Sequence, residues 1–244
     1  MKYYEMHEIV YRNIKEKSLF SWDKSNSFEQ MWAHETNLYL SKNIDRLNLK
    51  FKNLNLLDLG TGTGTSALFA AKEGAEVVGV EVSETAIEMA NIHKQKLGVS
   101  AEFIQGDVLS LNLKNQFNIV VDSTILHCIV GRKDRQSFYE VVRKHLLKDG
   151  YFFVNTMIAE GELTSFFPAE YFLFEDDVLW SLGINQISER RLINDKSYFP
   201  HRTILSKEKQ IMEFEDNGFI VENLEVTKSE GVPCLTGFLK LRIR

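Results

Sequence analysis

The stretch NLLDLGTGTGTS, residues 55–66, is an apolar run that stops abruptly in alternating glycines. The run over 54–59 is short, carries Leu on both faces and ends at a glycine, as a strand buried on both sides does. Gly60, Gly62 and Gly64 let the backbone turn sharply and approach a ligand with no Cβ in the way. Thr65 and Ser66 can cap a helix that runs on to Gly74, a natural C-terminal stop. Strand, glycine loop and helix N-terminus in this order make a nucleotide-sized cradle at the carboxyl end of a sheet. The spacing is not that of the G-x-G-x-x-G dinucleotide fingerprint: the third glycine falls one residue early, at Gly64, and an acid, Asp58, precedes the loop.

Working outward, the chain alternates strand and helix. Residues 76–81 read as a second strand ending in Glu81, and Ser83 is a plausible cap for a helix to Leu97. Residues 101–107 form a third strand with its exit at Asp107, and 117–122 a fourth ending in Asp122. A helix capped by Asp134 runs to Lys148, followed by a fifth strand over 151–156. After residue 205 come a helix from Ser206 to Asn217 and two closing strands, 219–226 and 235–243. This alternation is the signature of an open, mostly parallel sheet with helices on both faces.

Composition limits the rest. The 244 residues suffice for one domain with appendages and a sizeable core. A hydrophobic content of 44% and a charged content of 26% are ordinary for a globular protein. The net charge of −5 argues against nucleic acid as the main partner. Two cysteines, Cys128 and Cys234, supply neither a disulfide framework nor a metal cluster, so no metal is expected. The first residues are too polar for a signal peptide, and no apolar run approaches the ~18 residues that span a membrane. A cytoplasmic protein, monomeric or homodimeric, is the expectation.

The D-x-G-x-G-x-G pattern of Asp58, Gly60, Gly62 and Gly64 resembles the first motif of the class I S-adenosylmethionine-dependent methyltransferases. The resemblance covers roughly 54–158 and 206–243 and is silent on the rest. It implies a Rossmann-like doubly wound sheet of seven strands, mostly parallel, closed by an antiparallel strand. It also implies S-adenosyl-L-methionine as cofactor, with S-adenosyl-L-homocysteine as product. Asp58, Gly60, Thr61, Gly62 and Gly64 then form the cofactor loop. Glu81, with Val82 beside it, can accept hydrogen bonds from the ribose hydroxyls. Asp107 and Val108 fall on the adenine side, Asp122 and Ser123 on the methionine side. The D-S-x-x-L-H run ending at His127 looks like the branch that modifies small molecules.

Two segments lie outside that frame, 1–50 and 159–205, and each holds eight of the chain's 28 aromatic residues. All three tryptophans lie there. The first reads as a helical lid, with helices expected over 13–17 and 29–47 and Met31, Leu38, Ile44 and Leu47 buried; the second reads as a substrate-side insertion. The sheet unit is then 51–158 with 206–244. Trp22, Trp32, Tyr171 and Trp180 are the candidate walls of an acceptor pocket, because ligand pockets are rich in aromatics. Plain packing produces the same enrichment. His127 and His34 are rival general bases, since imidazole titrates near neutrality; His127 serves equally well as a brace for the cofactor loop. The implied activity is methyl transfer to an N, O or S atom of a small molecule by in-line displacement. Methylation of protein, peptide or RNA, or a non-catalytic cofactor-binding partner, are the competing readings.

Overall fold

The computed structural model describes residues 4, 6–161, 163–183, 190–229 and 231–242. Three helices come first: α1 (Met6–Glu16), α2 (Phe28–Trp32) and α3 (Glu35–Arg46). The alternating unit follows as β1 (Asn55–Leu59), α4 (Thr65–Lys72), β2 (Glu76–Glu81), α5 (Glu84–Leu97), β3 (Glu102–Gln105), β4 (Phe117–Asp122), α6 (Arg132–His145) and β5 (Leu146–Met157). Four short strands come next: β6 (Phe172–Glu175), β7 (Val178–Leu182), β8 (Arg191–Ile193) and β9 (Lys196–Thr203). The described chain closes with α7 (Lys207–Asp216), β10 (Phe219–Ser229) and β11 (Val232–Leu241).

Seven strands form one sheet in the order β10-β11-β5-β4-β1-β2-β3. β1 pairs in parallel with both β2 and β4, and β11 runs antiparallel between β5 and β10. This is the sheet expected from the sequence. Successive residues feed opposite faces. Leu57, Leu59 and Phe152 pack with Phe138 and Phe214 on one side, while Leu56 and Phe153 pack with Leu40, Ile44 and Ala67 on the other. Burial on both faces is why the strands read as continuous apolar runs. Strand order reverses between β1 and β4, so the crevice for a ligand opens at their carboxyl ends.

Several elements differ from the sequence expectation. The first helix spans Met6–Glu16 rather than 13–17. The single helix over 29–47 is two, because His34 leaves helical geometry and caps α3 by accepting the Thr36 N–H at Nδ1, 3.3 Å away. Met31 and Ile44 are buried, but Leu38 is 57% exposed. The sixth helix starts after Gly131, not at Asp134, and ends at His145; β5 then begins at once and runs through Gly150. β11 starts at Val232, and its expected end at Ile243 lies outside the described residues, as does Tyr3.

The insertion is an antiparallel sheet in the order β6-β7-β9-β8. Its two tight hairpins turn at Asp176-Asp177 and Asn194-Asp195, all four in the left-handed region with φ of 52°, 62°, 49° and 60°. The sheet leaves and rejoins the frame at a single bridge between Ile158 and Leu205. Among the described residues no helix is long and apolar enough to cross a membrane.

A buried ion pair fixes the loop after β4. Arg135 on α6 grips Glu213 on α7 through Nε and Nη2 at 2.7 and 2.6 Å, while Nη1 donates to the Leu126 carbonyl at 2.6 Å. Burial alone would raise the Glu213 carboxyl; the Arg135 hydrogen bonds and charge outweigh it and hold the carboxyl below its usual range. The stabilisation is therefore present above the unfolded carboxyl's pKa and is lost as pH falls through the folded value. Glu213→Ala strands the guanidinium and should cost about 3–5 kcal/mol at pH 7 in urea denaturation. A loss under about 1 kcal/mol would show that the guanidinium finds another partner or water.

Candidate active site

The glycine loop is shaped by its neighbours. Gly60, Gly62 and Gly64 have φ of 70°, 54° and 90°, where side chains are strained. A Cβ on Gly60 would come within 2.0 Å of the Ile125 side chain, and one on Gly62 within 2.5 Å of the Tyr11 hydroxyl. The N–H groups of Gly60 and Thr61 both donate to the Val80 carbonyl, at 2.9 and 3.0 Å, which pins the loop to β2.

Three buried acids surround this loop in different roles. Asp58 is fully buried and accepts the Thr61 hydroxyl at 2.6 Å and the Ser123 hydroxyl on its other oxygen. Burial raises its carboxyl to about 6, with those hydroxyls opposing. Glu81, at the end of β2, accepts backbone N–H groups from Gly62, Val82 and Ser83 at 3.2, 2.9 and 3.0 Å. Burial raises it too, and the three N–H donors oppose. Asp122, at the end of β4, accepts the Ile125 and Leu126 N–H groups on Oδ1 at 2.8 and 3.0 Å; Oδ2 is buried with no partner. Burial raises this carboxyl to about 7.

Two adjoining clefts open above the carboxyl ends of the strands. The larger has a cavity volume of about 150 Å³, the smaller about 50 Å³. Gly60 and Glu81 line both, Thr61, Gly62 and Ser123 the larger, and Val82, Asp107 and Val108 the smaller. Asp58, Gly64 and Asp122 reach neither surface; the two acids act from beneath, tying the loops after β1 and β4. Asp107 accepts the Leu109 N–H at 2.9 Å on one oxygen and the Tyr4 hydroxyl at 2.7 Å on the other.

His127 is buried and lines the larger cleft. Its Nδ1 accepts the Met157 N–H at 3.3 Å, which assigns the ring proton to Nε2. Burial, then the charges of Arg202 and Arg135, push its pKa well below the ordinary 6.5. The ring is thus neutral, and its Nδ1 ties the loop after β4 to β5. His34 lines the same cleft, with Nδ1 engaged in capping α3.

Of the four proposed wall aromatics only Trp22 lines a cleft, edge-on to His7 and Tyr11 at 5.4 and 5.5 Å. Trp32 stacks on Phe28 beneath the Lys72 ammonium, 3.5 Å from its ring. Trp180 carries the Arg191 guanidinium 4.2 Å from its ring, and Tyr171 is exposed. These three line neither of the two clefts. Lining residues that the sequence reading did not place at the site include His7, Tyr11, Cys128, Met157 and Arg202. Arg202 had a signal: with Tyr198 and Pro200 it occupies alternate, buried positions of β9.

The N-terminal segment is clamped over these clefts. Glu8 on α1 accepts the Ser83 and Thr85 hydroxyls, each at 2.6 Å. Burial opposes, but these bonds pull its carboxyl down to about 2. Phe20 and Phe28 sit against the His93 ring on α5, at 4.9 and 5.6 Å.

Residues 50–196 match the sequence model described as a methyltransferase domain, and the chain belongs to that family. A ubiquinone biosynthesis O-methyltransferase of Pseudomonas fluorescens (strain SBW25) is 29% identical over 139 residues, 56% of this chain and 57% of that protein. A 23S rRNA (uracil(747)-C(5))-methyltransferase of Pyrococcus horikoshii is 42% identical over 67 residues, 28% of this chain and 16% of that protein. The matched stretch thus spans less than two thirds of either relative. The fold is shared with the Burkholderia thailandensis 1,6-didemethyltoxoflavin-N1-methyltransferase, crystallised with 1,6-didemethyltoxoflavin and S-adenosylhomocysteine. Its TM-score is 0.65 at 13% identity, covering 100% of this chain and 92% of that one.

The raised Asp122 carboxyl has a measurable sign. An unfolded aspartate titrates near 4, and this one titrates at about 7 when folded. The folded state therefore holds an extra proton between those values, so this group's contribution to stability falls as pH rises from about 4 to about 7. Asp122→Asn removes the titration while keeping an acceptor for Ile125 and Leu126. Its melting temperature should gain on wild type across that window and hold a constant offset above it. Parallel profiles would mean that Asp122 titrates as an ordinary carboxyl.

Proposed function

We propose that the protein is an S-adenosyl-L-methionine-dependent methyltransferase acting on an N, O or S atom of a small molecule. The observation that carries this reading is Glu81: a buried carboxylate at the end of β2, held by three backbone N–H groups and lining both clefts beside the glycine loop. The clefts suit the cofactor. Gly60, Thr61, Gly62 and Ser123 would hold its amino-acid part, Glu81 and Val82 its ribose, and Asp107 and Val108 its adenine. When bound, S-adenosyl-L-methionine supplies an electrophilic methyl group on a sulfonium.

The chain's own task is then to orient and to exclude water. Fixing an acceptor against the reacting centre is worth up to ~7–11 kcal/mol when alignment is good, and needs no strong base. His127 supports this by holding the loop after β4 to β5. Asp58 fixes the two loops relative to each other. Segment 1–50 acts as a lid, with Tyr11, Trp22 and His34 over the larger cleft and Tyr4 over the smaller. The Tyr4 hydroxyl and an adenine amino group compete for the same Asp107 oxygen, so cofactor entry shifts the start of the lid.

The small-molecule reading is supported by a cleft roofed by α1 and by relatives named for ubiquinone biosynthesis and toxoflavin methylation. The rRNA-methylating relative matches a shorter stretch. Calorimetry tests the cofactor assignment. S-adenosyl-L-homocysteine should bind in the micromolar range, and Glu81→Ala should weaken it by roughly 1–3 kcal/mol through lost hydrogen bonds to a charged acceptor. Absence of binding by wild type would overturn the reading, and turnover of labelled cofactor with small acceptors separates an enzyme from a mere binding module. For the lid, amide exchange over Met6–Glu16 should slow on product binding; equal rates in both states would make the segment fixed scaffold.

A further inference from the structure

The accessory sheet delivers one unusual group to the larger cleft. Arg202 on β9 is 9% exposed and lines the cavity together with Trp22, His34, His127 and Met157. Its guanidinium is almost without partners. Nη1 donates to the Cys128 sulfur at 3.3 Å, a weak acceptor, and Nε is buried with no partner at all. Among the described residues no carboxylate forms an ion pair with it. The acids that line the same cleft are committed elsewhere: Glu81 to three backbone N–H groups, and Asp23 to Ser21 and Ser25. The other buried arginine of the region, Arg135, is fully paired with Glu213, so an unpaired guanidinium is not the local habit.

A buried cation without a counter-ion is costly, and a protein keeps one where a ligand supplies the missing charge. The surroundings supply none. Burial and the Arg202 charge push His7 down to about 4, and the same causes hold His127 and His201 well below 6.5, so the imidazoles stay neutral. Burial raises the Cys128 thiol, which therefore brings no thiolate. Among the described residues no three of His, Cys, Asp and Glu converge to hold a metal ion, so the histidines are not a cation site. Arg202 lines the larger cleft but not the smaller one, where Val82, Asp107 and Val108 lie.

We propose that Arg202 is the anchor for an oxyanion, a carboxylate or phosphate, carried by the small-molecule methyl acceptor. The planar fork of a guanidinium matches either group; Nε is shut from the cleft, so the terminal nitrogens are the donors offered to the oxyanion. This rests on the methyltransferase reading. It gives the accessory sheet a task, selection of acidic acceptors over neutral ones of the same shape.

The test is calorimetry on the full chain saturated with S-adenosyl-L-homocysteine, using benzoate, inorganic phosphate and neutral benzamide as probes. Benzoate or phosphate should bind at least tenfold more tightly than benzamide, and which of the two does so tells carboxylate from phosphate. Arg202→Met should lose that preference while keeping the affinity for S-adenosyl-L-homocysteine within twofold, and Arg202→Lys should restore part of it. Equal binding of benzoate and benzamide, or no anion binding at all, overturns the proposal. So does a tenfold loss of S-adenosyl-L-homocysteine affinity in folded Arg202→Met, because the arginine would then serve the cofactor's own carboxylate. The wild-type comparison stands even if the variants fail to fold. Failure of wild type to bind S-adenosyl-L-homocysteine is a separate result that strikes the cofactor assignment, and anion binding without it is then read by the same probes.

Discussion

One buried carboxylate organises the crevice. Asp58 sits on the central strand with no exposure, and each of its oxygens receives a hydroxyl from a different loop, Thr61 after β1 and Ser123 after β4. Burying a carboxylate is expensive unless donors replace its water. Here the donors come from the two segments that face each other where the strand order reverses. The interaction therefore converts a sheet property, adjacency of β1 and β4, into a fixed width between two loops. Among the described residues neither loop has another comparably short tie to its opposite number. Asp122 repeats the device one strand over by holding the backbone of Ile125 and Leu126, and Arg135 holds the carbonyl side of the same turn.

Where a signal is local, it was legible in the sequence. The strand, glycine loop and helix around 55–66, the Ser83 cap, the helix from Ser206 and the closing strand pair all follow from residues a few positions apart, and each is present; the helix after the loop, though, is entered from Gly64 with no side-chain cap, not from Thr65 or Ser66. Signals of chemical type alone were ambiguous. An acid at a strand end reads the same whether it lines a cleft, as Glu81 does, or braces loops from below, as Asp58 and Asp122 do. Aromatic enrichment likewise covers Trp22, which lines a cleft, and Trp32 and Trp180, which stack on Phe28 and carry Arg191. The break at His34 was hidden because an imidazole is an unusual cap and Ala33 is a good helix former.

The accessory strands went unread, although the sequence carries signals for their turns. Asp176-Asp177 and Asn194-Asp195 are residue pairs that tolerate left-handed backbone, the geometry of a two-residue hairpin, and each is flanked by residues suited to strands. The acid run at 175–177 reads as a solvated face unless the turn is recognised first. Once the hairpins are placed, period two along β9 puts Arg202 on the buried side, where a lone cation stands out against Tyr198 and Pro200.

The paired root at Ile158 and Leu205 has a bearing on descent. Because the polypeptide departs from the frame and re-enters it at adjacent points, the closure of the seven strands does not depend on what lies between. Length, strand number and chemistry of that excursion can drift, or be exchanged wholesale, without disturbing the register of β5 or the start of α7. If Arg202 anchors the acceptor as proposed, the part of the molecule that meets the second reactant is thus the part least constrained by folding. On that proposal, acceptor choice can change by rewriting this cassette alone, while the glycine loop and its buried braces stay as they are.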